Sequence, residues 1–478
     1  MSQIEKFPGS ANITVPGLLL KVTFQESVRT VFILSFPHYD AEPRQIQQDY
    51  HLLFPGALLT FFVACEQILK GRLHVKPKAV LAYCREKGVK AVDIRFPDGL
   101  GRWRHFSIPA SGLNESMFED GLGIESCLPY QNSEQQTPWI LVPAADSKYL
   151  DPIQSDPTLV LMASIQDAWT GEEAWFDPRG IAVRTAEAFR GAGLADEIMV
   201  ATTLPFHLHS GINRSASELN SNTETIFGSG RHDPDSLFRS ELMNLAIEAG
   251  LGIERHYRGA MSSSEILLNT KPLVQACDEQ IVLRALTEST AMLRNCSVEQ
   301  TGLFTKCSLG FVKGNEPSLG GARGFGLSDL GWYSAGGLLK HSKAIAAIAS
   351  ASAAAMNVSH KRASKPIISD RVLDSLVGIE PVSNDPRYRS LIYRDMPANC
   401  CPYLTLSAIA MAMLDGILHK TAPVTELAGS HGEFKKIEQS KKVHAQNLAD
   451  DTNFLLHAEV FPEQMIESIY HRLANAEE

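Results

Sequence analysis

No two cysteines of this chain are spaced Cys-x-x-Cys. The eight present (Cys65, Cys84, Cys127, Cys277, Cys296, Cys307, Cys400 and Cys401) are scattered, which argues against a disulfide framework or a zinc ribbon and for reduced thiols in a cytoplasm. Long apolar runs are missing as well. The longest, Leu52 to Cys65, is broken by Pro55 and falls short of the roughly 20 residues that a bilayer helix needs, so no membrane span is expected. Met1 to Asn12 has no basic stretch followed by an apolar one, and no secretory leader is expected. Positive charge is in deficit. With 44 Lys and Arg against 54 Asp and Glu, a formal net charge of -10 gives neither nucleic acid nor an anionic membrane an electrostatic reason to bind. What remains is 478 residues, 44% apolar, enough for a sizeable core in two or three domains.

At the N-terminal end, Val22 to Phe24 and Thr30 to Phe36 are rich in β-branched and aromatic residues and read as strands, while Leu58 to Leu73 has helical spacing. Residues 1–76 are expected to form a small α/β appendage. It would pack on its own core, or offer an added surface that joins subunits or recruits a protein partner. Lys78 to Lys87 reads as a helix ended by Gly88, and Val89 to Phe96 alternates like a strand.

The most informative stretch lies further on. Leu327 to Ile345 reads Leu-Ser-x-x-Gly-x-Tyr-x-x-Gly-Gly-Leu-Leu-Lys-His-x-Lys-Ala-Ile. Asn357, His360, Lys361 and Arg362 follow, then Tyr393-Arg394, Pro402-Tyr403-Leu404, Leu414-Asp415-Gly416-Ile417 and Lys420. Upstream stand Val92-Asp93-Ile94-Arg95-Phe96, Asp98, His105 and Leu150-Asp151-Pro152. In this order and spacing, these residues resemble the glutamine synthetase family.

The resemblance implies an α+β fold. A β-grasp domain would occupy residues 77–180 and a catalytic-like domain, an antiparallel sheet with helices, residues 181–478, the appendage being extra. It also implies six-membered rings closed by a head-to-tail interface and stacked in pairs as dodecamers.

The resemblance fails where the family's chemistry sits. Where the family has an Asp that deprotonates ammonium, followed by a serine, this chain has Glu125, one methylene longer, and Leu128. The strand that carries Glu-x-Glu in the family reads Thr203-Leu204-Pro205 here, and proline also removes a ladder donor. Glu254 and Glu265 match a nucleotide-side Glu and a metal Glu; the Glu between them falls on Tyr257 or Arg258. In Leu319 to Ser328 two family histidines have become glycines, and the metal Glu two residues before Arg394 is Ile392. Arg362 matches the arginine that grips the substrate γ-carboxylate, Arg394 one that stabilises transferred phosphate, and Arg371 is a candidate third. The flap Glu has no equivalent, Asp370 being the nearest acid. His207 and His209 share a strand face but lack cysteine or carboxylate partners in sequence, so they read as ordinary imidazoles rather than zinc ligands. Ala344 to Met356, nearly all small residues, reads as a buried helix.

The expectation is a catalytically inactive member of the family, a ring-forming homo-oligomer with a structural, scaffold, filament-forming or regulatory role and no cofactor. One alternative is an ATP-dependent ligase joining glutamate to ammonia or an amine with rearranged ligands, which would need Mg2+ and ATP. The other is a subunit that co-assembles with an active synthetase.

Overall fold

A computed structural model describes residues 10–15, 18–23, 31–35, 76–99, 101–124, 138–210, 226–314, 316–353, 365–369, 375–381, 387–425 and 440–475. The chain divides into two compact units, Met1–Phe62 and Val63–Glu478. In the first, β1 (Ser10–Val15), β2 (Leu18–Thr23) and β3 (Val31–Ser35) form an antiparallel sheet in the order β1-β2-β3. Two of these are the strands the sequence predicts. The expected helix Leu58 to Leu73 lies outside the described residues.

The second unit begins with the helix Pro77–Lys87, whose Val80 and Cys84 are buried on a six-stranded sheet. That sheet holds β4 (Ala91–Pro97), β5 (Trp103–Pro109), β6 (Leu122–Ile124), β7 (Trp139–Pro143), β8 (Tyr149–Leu150) and β9 (Thr158–Asp167). Its order is β5-β4-β9-β7-β6, with β8 on β9, and β4 and β9 run parallel in the middle. Parallel neighbours need a long crossover, and the segment between β4 and β9 supplies it.

The larger sheet contains β10 (Glu197–Ser210), β11 (Ile253–Arg258), β12 (Ser264–Leu268), β13 (Lys271–Pro272), β14 (Cys296–Glu299), β15 (Phe304–Lys313), β16 (Glu316–Pro317), β17 (Lys365–Ser369), β18 (Ser375–Pro381) and β19 (Arg389–Pro397). Its backbone order is β11-β12-β10-β15-β19-β18-β17, antiparallel except for β17 on β18. One face is packed on helices. Thr202, Leu204 and Phe206 of β10 are buried there, and Thr202 Oγ1 donates to Gln280 Oε1 of the helix Leu273–Leu293 at 2.5 Å.

The helix Pro402–Leu418 runs through the centre, buried along almost its whole length. Against it lies Asp329–Lys340, which carries Gly-Gly-Leu-Leu-Lys. The two backbones touch: a Cβ on Gly337 would stand 1.9 Å from the Ala412 carbonyl oxygen, and one on Gly416 would stand 2.2 Å from that of Tyr333. The next residues lock the pair by charge. Lys340 Nζ lies 2.9 Å from Asp415 Oδ2 and His341 Nε2 2.8 Å from the same oxygen, while His341 Nδ1 reaches Asp451 Oδ2 at 2.8 Å. The motifs Gly-Gly-Leu-Leu-Lys-His and Leu-Asp-Gly-Ile are therefore two halves of one interlock, not a binding site. The small-residue helix forms as Ser342–Ser352 and is buried over most of its length. The C-terminal segment forms three helices, Lys441–Ala449, Asn453–Leu456 and Glu463–Ala474.

Candidate functional site

The second face of the larger sheet is where the candidate residues of its strands meet. Residues opposite one another in an antiparallel pair share a face, so registers alone lay out the surface. Tyr257 stands opposite Glu265 and Glu265 opposite Pro205. Further along, Ala201 faces Ser308, Ser308 faces Ile392, and Ile392 faces Gly378. Thr203 falls between Ala201 and Pro205 on the same side.

Glu265 is already hydrogen-bonded. Its Oε2 accepts a 2.7 Å hydrogen bond from the Tyr257 hydroxyl and its Oε1 one from Ser263 Oγ at 3.4 Å. The carboxylate also presses on Gly259, where an added Cβ would be 2.1 Å from Oε1. Burial and then the Glu265 charge push the Tyr257 hydroxyl above its ordinary pKa, so it stays a donor. The Phe227 ring packs against Tyr257, centroids 4.8 Å apart.

Arg258 follows Tyr257, and strand alternation turns it to the opposite face. There it stands across from Ser264, whose hydroxyl accepts from the buried Arg239 of the helix Ser236–Glu248. Of the two residues the sequence left open, the tyrosine takes the place beside Glu265. Period two, counted from Glu265 across the hairpin, is the signal that could have chosen it.

The remainder of the row is uncharged or basic except for Glu380, opposite Ser390 and two residues from Gly378, whose charge also raises the Tyr257 hydroxyl, and Glu299, opposite His207. Thr203 and Ile392 are buried, and Thr203 Oγ1 accepts from the Lys306 backbone N at 3.0 Å. Ser308 and Ser390 hydroxyls are 2.6 Å apart. Arg394 lies across Gly378, where a Cβ would sit 2.0 Å from Nη1, so a glycine makes room for the guanidinium. Glu254, at the β11 bulge, pairs with its neighbour Arg255 at 2.6 Å. His209 Nε2 lies 2.9 Å from Glu299 Oε2, and burial, then His209, hold His207 below the ordinary imidazole pKa. Glu125, Arg362 and Arg371 lie outside the described residues.

Family models described as the catalytic domain and the β-grasp domain of glutamine synthetase match residues 176–477 and 88–168. The chain belongs to the glutamine synthetase family. The glutamine synthetase of Methylococcus capsulatus is 28% identical, with 82% of this chain and 94% of the relative covered. That of Vibrio cholerae is 28% identical over 81% and 93%. The solved glutamine synthetase of Plasmodium falciparum superposes with a TM-score of 0.71 at 17% identity, covering 83% of this chain and 95% of the other, which shows the shared fold. The fold is thus α+β, a β-grasp domain followed by the synthetase catalytic domain.

Family resemblance implies Mg2+ at this face, and the residues present do not fit it. Mg2+ wants a near-octahedral set of oxygens anchored by carboxylates. Beside the bonded Glu265 the row brings Pro205, Thr203 and Ile392, and its other carboxylates, Glu380 and Glu299, stand on other strands, Glu299 already paired with His209. Among the described residues no group of three or more His, Cys, Asp or Glu side chains is placed to hold a metal ion. No helix among them is long and apolar enough to cross a membrane.

Proposed function

We propose that this chain is a glutamine synthetase-fold protein without ligase activity, which assembles with itself into a ring and acts as a scaffold or regulator. The observation that carries the reading is the hydrogen bond from Tyr257 to Glu265. Phosphoryl transfer from ATP needs divalent ions to neutralise charge as the bond breaks. A protonated phenol bonded to the candidate metal carboxylate competes with those ions for it, and the two positions directly opposite that carboxylate, Tyr257 and Pro205, bring no second one. Arg394, on the interior strand β19, keeps a positive charge on the sheet, and with Arg362 and Arg371 it is a candidate hold for a small anion by paired hydrogen bonds. Glu254 and Glu125 have no catalytic part in this reading. The extra N-terminal unit is a candidate surface for a protein partner, and a cytoplasmic setting suits the free thiols.

Two measurements on the full chain test this. ATP with Mg2+ should leave the melting temperature unmoved, whereas a tight ligand at a hundredfold excess over Kd adds about 2.7 kcal/mol. Phosphate release with glutamate and ammonium, or with an amine in place of ammonium, would instead establish the ligase. Native mass measurement should give a six- or twelvefold ring; rings that form only with an active synthetase would establish the co-assembling subunit.

A further inference from the structure

A second recess lies away from the sheet face just described. Strand β5 and the Asp151 turn of the β-grasp part approach the helix Leu273–Leu293 there, leaving a cavity of about 230 Å3. This is below the roughly 300–1,000 Å3 of drug-sized sites, so it suits a metabolite-sized molecule rather than a nucleotide.

Its polar end is built and held rigid. Arg95 is gripped by Asp93 Oδ2 at 2.6 Å, Asp151 Oδ2 at 2.7 Å and the Tyr149 hydroxyl at 3.1 Å. His105 Nδ1 lies 2.8 Å from Asp93 Oδ1, which also accepts from Ser107. With two carboxylates around one guanidinium, the cluster carries one net negative charge when His105 is neutral. A carboxylate can only accept, so the Asp93 contact makes His105 Nδ1 the protonated nitrogen and leaves Nε2 with a lone pair. Asp151 accepts from Arg95 and from the Ile153 backbone N, which leaves further lone pairs. Arg95 spends three of its five N–H groups on Asp93, Tyr149 and Asp151, and the open acceptors at this end belong to Asp151 and His105. The other end is largely apolar, formed by Trp103, Ile153, Ala285 and Leu286 with Gln154 and Ser289 beside them; the Trp103 ring already faces one cation, Arg95, at 5.8 Å, and its Nε1–H is buried with no hydrogen-bond partner.

We infer that this cavity is a binding site for a small organic ammonium ion: its apolar body against Trp103 and Leu286, its nitrogen donating to His105 Nε2 and Asp151. The inference is independent of the reading of the sheet face, because none of these residues belongs to it.

The test is calorimetric titration of the full chain with n-butylammonium, n-butanol and butyrate. Butylammonium should bind once per chain with a dissociation constant of about 1 mM, as expected for a fragment of this size. Neither the alcohol nor the acid should saturate. Ala285→Phe, which fills the cavity from the helix without touching the Arg95 cluster, should abolish the heat while leaving the melting temperature within a few degrees; Ser289→Phe provides a second filling variant. Equal binding of butanol, no saturation by butylammonium at ten times that concentration, or undiminished binding to a folded cavity-filled variant would overturn the assignment.

Discussion

Tyr257 and Glu265 stand opposite each other on β11 and β12, and the hydroxyl of one donates to the carboxylate of the other at 2.7 Å. A phenol donor here occupies the acceptor that a divalent ion would use. Tyr257→Glu should reverse this by placing two carboxylates side by side, and their repulsion should cost stability in metal-free buffer. Mg2+ or Mn2+ should then raise the melting temperature of the variant and not of the parent chain. An equal rise in the parent would mean that the row already holds metal.

Removing the hydroxyl alone is milder. Tyr257→Phe leaves Glu265 with its weaker contact to Ser263 and should cost about 1 kcal/mol in urea unfolding, the usual worth of one such bond.

The interlock of Gly337 and Gly416 allows a sharper contrast. Gly337→Ala forces a methyl toward a backbone oxygen 1.9 Å away and should destabilise by about 1–3 kcal/mol or more. Gly191→Ala, at the end of the helix Pro178–Gly191 with nothing within 4 Å, should be neutral or stabilising by up to about 1 kcal/mol. Thermal unfolding of the two variants side by side measures the difference.

Acid should loosen the same interlock. Burial pushes the Asp415 carboxyl up, but hydrogen bonds and charge from His341 and Lys340 outweigh it and hold the pKa below the usual range. A carboxyl depressed in the folded state contributes stability that is fully present above its unfolded value of about 3.9, and loses it as pH falls toward the folded value. Asp415→Asn should therefore lower stability at pH 7 and flatten the loss below about pH 4. A denaturation midpoint measured against pH checks both.

Thiol labelling separates the cysteines by environment. Cys277, Cys307, Cys400 and Cys401 are buried, and burial pushes their thiols up, Cys400 to about 11 and Cys307 and Cys401 to about 12. Cys296 is partly exposed. At pH 8 iodoacetamide should modify Cys296 in the folded chain and the other four only on unfolding, as read by peptide mass.

Much of the architecture could be read from the sequence because it is carried by local rules. Alternation marks the strand Ala91–Pro97, and the small-residue run from Ala344 marks a buried helix. That Thr203, Pro205 and Ile392 are not carboxylates is likewise a matter of position in the chain and holds in any fold. What the sequence left undecided was orientation. Whether Tyr257 or Arg258 turned toward Glu265 depended on the β11–β12 register, which long-range pairing sets. The cavity beside His105 was equally beyond the sequence, because its walls come from β5, the Asp151 turn and a helix more than a hundred residues away. Side-chain chemistry is written residue by residue; which side chains share a space is decided only when the chain closes on itself.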